Sequence, residues 1–288
     1  MKPEVLLLES AIGDAARYFE KAIREETRID VSVKADKSLV LNLDLESQEI
    51  IRGVLGTTLP VVAEEDPASH SLIDSEPDYF LVDPLDGTSS CKRFLGVRGG
   101  QVGFGPLGGY VKDGVLTAAC YYNVTTQTFY TAVRGEGTWA VQDLKLRATL
   151  PPLRSRTRLV IKPPERLTEC AALFYTGARG EIPCVEYLRR EGFIENAYRF
   201  GGFANDCVRL AHDYEQVQVQ FAVKPWDLSA ALITAEAGYA LWFEPLANPI
   251  PFSKWKIQMN NPLIAVPPSV EADLFRGIKG IAASLSSD

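Results

Sequence analysis

The sequence contains few of the residues that build soft-metal sites or disulfide-stabilised folds. Its 288 residues include only two histidines, His70 and His212, and five scattered cysteines with no Cys-x-x-Cys pair. This shortage argues against a histidine-rich zinc site, a zinc knuckle and a disulfide framework. A reducing, cytoplasmic location fits such cysteine usage best. If the protein holds a metal ion, carboxylates must supply the ligands.

Long apolar runs and an excess of basic residues are also missing. Nowhere do about 18 apolar residues run together, the length that a membrane-spanning helix requires, and no targeting signal is visible at the N-terminus. The 30 Lys and Arg residues are outnumbered by 37 Asp and Glu residues, which gives a formal net charge of -7. We therefore expect neither membrane association nor general binding to nucleic acid.

The hydrophobic pattern of the first half changes from helical to strand-like. Apolar residues spaced by three and four predict helices over 5–23 and 43–55. Short runs rich in β-branched and aromatic residues predict strands at 59–63 and 79–82, and a meander of further strands between 101 and 133. The first half is therefore expected to be helices packed on a largely antiparallel sheet.

A stretch rich in Pro, Arg and Thr at 148–158 is interpreted as the boundary between two halves. We expect an N-terminal α+β half, residues 1–150, that carries the metal-binding motifs, and a C-terminal α/β half, residues 151–288, that closes the active site. The second half alternates strands and helices, beginning with a strand at 159–162 and a helix at 165–175, which favours a layered α/β arrangement.

The stretch most informative about chemistry follows an apolar strand. Asp83 and Asp86 are three residues apart across a Pro-containing turn, which can direct both carboxylates and the Leu85 carbonyl to one point. Such oxygens are ligands for a hard cation such as magnesium. Gly87 allows close approach of a ligand, and a helix opening at Thr88 would present N–H groups to an anion. An ordinary turn is the alternative, because Asp-Pro and Asp-Gly are common turn dipeptides.

A second acidic cluster favours the metal-site interpretation. Glu64, Glu65 and Asp66 end another apolar strand, and pairing of the two strands would bring this cluster beside Asp83 and Asp86. A solvated charge run is the alternative for such a triplet.

A third acidic element follows Trp226. Asp227 stands at the expected N-cap of a helix that begins at Leu228. Capping alone would explain an Asp at this position. The two roles are compatible, because a carboxylate at a helix N-terminus can cap through one oxygen and bind a metal through the other.

Together, the Glu-Glu-Asp triplet at 64–66, the Asp-Pro-Leu-Asp-Gly-Thr hexapeptide at 83–88 and the Trp-Asp pair at 226–227 resemble a family signature. It is that of the inositol monophosphatase superfamily of magnesium-dependent, lithium-sensitive phosphatases. The resemblance implies a five-layered α/β/α/β/α sandwich with two or three Mg²⁺ ions between its halves. The metal ligands that it implies are Glu64, Asp83, the Leu85 carbonyl, Asp86 and Asp227.

The resemblance also assigns catalytic and substrate-binding roles. In that family an upstream Asp, matched here by Asp44, works with the hexapeptide Thr, matched by Thr88, to activate the attacking water. We expect Glu64 to help to hold the ion that carries this water, and the backbone amides of Gly87 and Thr88 to bind the phosphate. The expected reaction is hydrolysis of a small phosphomonoester, namely inositol monophosphate or a related sugar or polyol phosphate.

The chain departs from the family pattern at three positions expected on the substrate side. Leu41 stands where Thr is common, Gly202 where Ser is common, and Ala231 where Gly is common. Among enzymes, a 3'(2'),5'-bisphosphate nucleotidase or a histidinol-phosphate phosphatase therefore stays open. The alternative that is not an enzyme is a catalytically silent, metal-binding relative. The sequence also leaves open whether the protein forms a homodimer.

Overall fold

Helices and two large β-sheets alternate in five layers in this protein, which we describe from a computed structural model. The described residues are 2–25, 30–33, 39–97, 102–142, 150–174, 181–198, 202–212, 217–243, 250–251, 257 and 261–285.

Two helices form the first layer. Helix α1 (Pro3–Arg24) has Pro3 in its first turn, where the missing N–H costs nothing, and α2 (Asn42–Leu55) ends before Gly56. The two helices pack on each other and against the sheet of the next layer. A hairpin of β1 (Val31–Val33) and β2 (Leu39–Leu41) precedes α2. Both helices predicted in the first half are confirmed to within two residues.

The second layer is a seven-stranded sheet in which the strands follow one another in chain order. Its strands are β3 (Val61–Ala63), β4 (Tyr79–Asp86), β5 (Gly105–Lys112), β6 (Val115–Asn123), β7 (Thr128–Val133), β8 (Gly137–Val141) and β9 (Thr157–Leu159). Strands β3 and β4 pair in parallel, and all later pairs in this sheet are antiparallel. The largely antiparallel sheet expected from the sequence is confirmed, although the meander begins at Gly105.

Strand β4 reads as a continuous apolar run because both faces of the sheet are covered. Phe80 and Val82 pack toward α1 and α2, whereas Tyr79 and Leu81 pack toward the middle of the molecule. All eight residues of β4 are buried, as is typical of strands covered on both faces.

The fourth layer is a six-stranded sheet with the order β11-β10-β12-β15-β13-β14. Its strands are β10 (Ala171–Phe174), β11 (Asn196–Tyr198), β12 (Val217–Val223), β13 (Ala240–Phe243), β14 (Ile250–Pro251) and β15 (Asn261–Val266). Helices α5 (Glu181–Arg190) and α8 (Glu271–Leu285) pack together, and α5 packs on this sheet, as the fifth layer. The short helices α3 (Leu72–Ser75) and α4 (Thr88–Val97) belong to the connections of the first half.

Two helices form the middle layer between the sheets. Helix α7 (Leu228–Ala237) contacts strands of both sheets, and α6 (Phe203–Ala211) packs on α7 and β12. Almost all of α7 is buried, as expected for a helix that is apolar around its whole circumference. This layer brings the second half of the chain against one face of the first sheet.

The helix predicted over 165–175 is wrong. Residues Leu167–Glu169 form a single 3₁₀ turn, and the chain then enters β10 between β11 and β12. Pairing on both sides and burial of Ala172 and Leu173 outweigh a local pattern that is ambiguous in so short an apolar run. The division of the chain at residue 150 stays a prediction.

Cys91, Cys120, Cys170 and Cys207 are buried free thiols. In the part of the chain that the structure covers, none of the helices combines the length and the apolar content needed to cross a bilayer.

A buried ion pair joins α1 to the segment that leads into β9, the edge strand of the first sheet. The two terminal nitrogens of Arg156 donate to the two carboxylate oxygens of Glu9 at 2.5 and 3.0 Å. Thr131 Oγ1 donates to Glu9 at 2.6 Å and accepts from Arg156 at 2.8 Å. The side chains of Arg156 and Glu9 are only 1% and 5% exposed. The pair therefore connects α1, β7 and the segment that leads into β9.

We expect Arg156→Met to lower the free energy of unfolding by about 3–5 kcal/mol, because it leaves the Glu9 carboxylate buried without its cation. Urea unfolding followed by circular dichroism measures the change. Arg166→Met is the matched control, since Arg166 pairs with Glu169 on the surface, and its unfolding midpoint should stay at the wild-type value. Equal losses in the two variants would contradict a special role for the buried pair.

Candidate metal centre and phosphate site

Two neighbouring parallel strands deliver acidic residues to one edge of the first sheet. Ala63, the last residue of β3, pairs with Val82 in β4, and the Glu64 N–H donates to the Val82 carbonyl at 3.0 Å. Glu64 therefore follows β3 at the level where Asp83 continues β4. The two acidic clusters lie side by side, as the strand pattern predicted.

Strand β4 runs through the acidic motif instead of ending before it. Its pairing with β5 is irregular between Asp83 and Asp86, and such irregularities re-aim side chains. The Leu85 N–H donates to Asp83 Oδ1 at 2.9 Å, and Ser47 Oγ donates to the Pro84 carbonyl at 2.8 Å. Backbone and side-chain hydrogen bonds thus fix the turn that carries both carboxylates.

Asp83, Asp86 and Asp227 form a compact carboxylate cluster in which one oxygen from each lies within 4.8 Å of the others. Burial and, after it, the nearby Glu64 charge raise the pKa of all three, to about 7 for Asp86. At 4.8 Å, two unit charges repel by about 3 kcal/mol at an effective dielectric constant of 20. An oxygen-only donor set with this much negative charge fits a hard divalent cation such as Mg²⁺.

Asp227 comes from the second half of the chain, directly before α7. It occupies the N-cap position, but its side chain makes no capping hydrogen bond to α7. Its carboxyl group forms a hydrogen bond with the Asp83 side chain instead. The interpretation that Asp227 caps this helix is therefore wrong, and its side chain belongs to the cluster.

Asp86 caps a helix from another part of the chain. Its two carboxylate oxygens accept the Phe203 and Ala204 N–H groups at the start of α6, at 2.9 and 3.1 Å. The α6 N-cap, Gly202, has a φ of 86° and no side chain to cap with. A Cβ at position 202 would lie 3.0 Å from Asp86 Oδ2 and 3.1 Å from the Gly103 carbonyl. Gly202 therefore permits the contact between α6 and the carboxylate.

The other two departures from the family pattern lie in the hydrophobic core. Leu41 is 1% exposed and packs with α1 and α2, and Ala231 is 0% exposed inside α7. The expectation that these side chains lie on the substrate side is wrong. They fill space between layers.

Asp44 and Thr88 are hydrogen bonded to each other. Thr88 Oγ1 lies 3.1 Å from Asp44 Oδ1 and 3.2 Å from the Leu85 carbonyl oxygen. Asp44 Oδ2 accepts the Leu41 N–H at 2.7 Å, which fixes the carboxylate. Burial, with repulsion from two nearby glutamates, raises the pKa of Asp44 to about 7. The pair has the geometry of a hydroxyl oriented by an anchored carboxyl group.

Gly87 and Thr88 form the N-terminus of α4. Gly87 has a φ of 82°, and a Cβ there would lie 3.1 Å from the Gly103 carbonyl oxygen. The Cys91 N–H donates to the Gly87 carbonyl at 2.9 Å, so the amides of the first turn precede the helix's own hydrogen bonds. Phosphate binding by the Gly87 and Thr88 amides stays a prediction.

Sequence reasoning missed two contributors to this region. The backbone amides of Phe203 and Ala204 hold Asp86, and the His70 ring packs on Trp226 beside the cluster. The two consecutive glycines before α6 are a weak indication, in the sequence, of the close contact between Asp86 and the amides of this helix. No local pattern links His70 to Trp226, because the two are far apart in the sequence.

Comparison with known proteins places the chain in a family. The model of the "Inositol monophosphatase family" matches residues 6–243. The Nus factor SuhB of Vibrio cholerae is 25% identical over 246 residues, which cover 83% of this chain and 84% of that protein. The 3'(2'),5'-bisphosphate nucleotidase CysQ of Escherichia coli K12 is 31% identical over 161 residues, 53% of this chain and 61% of that protein.

A solved structure with the same fold confirms the layered architecture. It is an IMPase/NADP phosphatase complexed with Mg²⁺ and phosphate, and it matches with a TM-score of 0.70 at 18% identity. The match covers 91% of each chain. The fold class expected from the sequence is therefore confirmed.

Asp227→Asn and Asp86→Asn should have opposite effects on the metal-free protein. Asp227→Asn removes one of the repelling charges and keeps the shape, so we expect a higher melting temperature in chelator, by about 2 °C per kcal/mol of relief. Asp86→Asn should lower the melting temperature, because Asn has one acceptor oxygen where two amides are bound. Thermal denaturation measures both. A fall of equal size in the two variants would show that repulsion within the cluster is unimportant.

Proposed function

The chain belongs to the inositol monophosphatase family, and we propose that it hydrolyses small phosphomonoesters in a magnesium-dependent reaction. The observation that carries the proposal is the carboxylate cluster of Asp83, Asp86 and Asp227, in a chain that also holds the Asp44–Thr88 pair. The substrates we propose are inositol monophosphate and related sugar or polyol phosphates. The products are the free alcohol and inorganic phosphate.

Two or three Mg²⁺ ions would be held by Glu64, Asp83, the Leu85 carbonyl, Asp86 and Asp227. When bound, they supply neutralisation of the phosphate oxygens, a water of lowered pKa and stabilisation of the leaving oxygen. The donor set supports this assignment, since carboxylate and carbonyl oxygens are the protein ligands that magnesium prefers. The related IMPase/NADP phosphatase structure contains Mg²⁺.

Thr88 orients the attacking water in this proposal. While its O–H donates to Asp44 Oδ1, its lone pairs stay open to accept a hydrogen bond from that water. The Leu41 N–H fixes Asp44, so the direction of the Thr88 hydroxyl is set before substrate arrives. The water then attacks phosphorus, the bond from phosphorus to the alcohol oxygen breaks, and the proton that the water gives up ends on that oxygen.

The phosphate group is bound at the start of α4. The amides of Gly87 and Thr88 stand at the helix N-terminus, where N–H groups and the helix dipole favour an anion. The positive φ of Gly87 turns the backbone from β4 into this helix. Cation and anion sites would thus be adjacent, as a phosphomonoester needs.

A second candidate is 3'(2'),5'-bisphosphate nucleotidase activity. The similarity to CysQ favours it, although the matched region spans only 61% of that protein. The match to a Nus factor keeps a catalytically silent, metal-binding role as the non-enzymatic alternative. The absence of nucleic-acid binding, which rests on the net charge, stays a prediction.

A phosphate-release assay distinguishes these functions. With Mg²⁺, we expect release from inositol 1-phosphate and sugar phosphates, loss of activity in excess chelator and inhibition by Li⁺. The panel includes 3'-phosphoadenosine 5'-phosphate and histidinol phosphate, and a preference of more than about 10⁴ for one compound would reveal a dedicated alcohol pocket. Full activity in chelator would refute the mechanism, and no release from any compound would favour the silent relative.

Thr88→Ala should lower kcat by about 10²-fold or more and change KM little, because the hydroxyl acts chiefly in the transition state. Thr88→Ser keeps the hydroxyl and is the matched control. Asp44→Asn should resemble Thr88→Ala, since an Asn amide facing Thr88 would donate to it and occupy the lone pair that the water needs. The double variant should be scarcely worse than either single one. Multiplicative losses would mean that the two residues act separately.

A further inference from the structure

His70 links the two halves of the metal centre through two contacts. Its ring packs on Trp226 with centroids 4.8 Å apart and an interplanar angle of 33°. Its Nε2 lies 3.0 Å from the Ala63 carbonyl oxygen, and because a carbonyl only accepts, Nε2 carries the hydrogen. Ala63 directly precedes Glu64, and Trp226 directly precedes Asp227. One side chain therefore contacts the residue that directly precedes each of two assigned metal ligands.

The segment that carries His70 is itself fixed to the end of β3. It forms the 3₁₀ turn Pro67–Ser71. Ser69 Oγ accepts the Ala63 N–H at 3.1 Å and donates to the Asp66 carbonyl at 2.6 Å. The Asp66 side chain pairs with Arg52 on α2 at 2.7 Å. The His70 ring is thus placed by β3 and α2, both in the first half of the chain.

Charge repulsion acts on Asp227 at the cluster, beside the side-chain hydrogen bond that it makes with Asp83. Asp227 belongs to the second half, and its charge is repelled by Asp86 and Glu64 in the first. Trp226 is 6% exposed, so its ring is held in a packed environment. The contact between His70 and Trp226 joins the halves beside the point where their charges repel.

We propose that His70 is a positioning residue for the metal centre, which sets the spacing of Asp227 relative to Glu64 by packing on Trp226 while bonded to Ala63. This inference rests on the proposed function for the identity of the ion, Mg²⁺. In this proposal His70 is neither a ligand of the ion nor a contact of the substrate. Its effect is on the affinity of the site for the ion, as is known for partners of metal ligands.

The chain offers a matched control in its other histidine. His212, the C-cap of α6, has Nε2 3.1 Å from the Tyr130 hydroxyl oxygen and packs edge-on against that ring at 5.7 Å. Both histidines are half-buried, and each makes a side-chain hydrogen bond and an aromatic contact. A purely structural role would make the two equivalent.

Magnesium titration calorimetry on the metal-depleted full chain tests the proposal, with urea unfolding measured in parallel. We expect His70→Ala to raise the apparent Kd for Mg²⁺ by about 10-fold or more, whereas His212→Ala should change it less than about twofold. An unchanged Kd in His70→Ala, or equal shifts in the two variants, would overturn the proposal. If His70→Ala does not fold, the same Kd comparison is made with His70→Phe, which keeps the ring on Trp226 and loses the donor, and with His70→Gln, which can keep the donor.

A double-mutant cycle with Trp226→Leu tests the route of the effect. If His70 acts through Trp226, the double variant should bind Mg²⁺ within about twofold of the weaker single variant. Independent losses that multiply would overturn that route and with it the proposal.

Measuring Mg²⁺ affinity separately from phosphate release distinguishes a failure of this inference from a failure of the proposed function. Wild-type protein that binds Mg²⁺ but releases phosphate from no compound would refute the phosphatase while leaving the His70 comparison decisive. Active protein whose Mg²⁺ affinity is insensitive to His70→Ala would refute only the His70 role. Wild-type protein that binds no Mg²⁺ would overturn both.

Discussion

The repulsion among buried carboxylates is the constraint on which this structure depends. Asp83 and Asp86 are nearly inaccessible to water, and Asp227 reaches them from a separate part of the chain. Burial and mutual repulsion both raise the pKa of these groups, so the fold must hold together charges that favour separation. Proteins tolerate such an arrangement where it serves a function, and a divalent cation offsets this charge directly.

The backbone supplies much of the compensation. Asp83 accepts the Leu85 amide, Asp44 accepts the Leu41 amide, and Asp86 accepts two amides at the start of α6. Amide hydrogen bonds to a carboxylate stabilise its charged form and fix its orientation. The helix dipole of α6 adds to this at Asp86. The acidic residues are thus oriented by groups that do not move independently of the fold.

The layered architecture explains why these groups meet. The parallel pair β3 and β4 brings two acidic strand ends to one edge of the first sheet, and the middle layer of α6 and α7 brings Asp227 and the capping amides against that edge. Close approach requires a position without a side chain, which Gly202 provides. His70 and Trp226 add a direct contact between the halves at the same place.

The sequence by itself determined the elements with a clear period, including α1, α2 and the meander, and its motifs led by family resemblance to the candidate residues Asp44, Glu64, Asp83, Asp86, Thr88 and Asp227. Only the tertiary structure decided that 171–174 is a strand, that Asp86 caps α6, and that Leu41 and Ala231 are core residues. Local periodicity reports which face of an element is buried, but not which distant residue covers it. His70 and Trp226 meet through such a long-range contact, which leaves no pattern in the sequence.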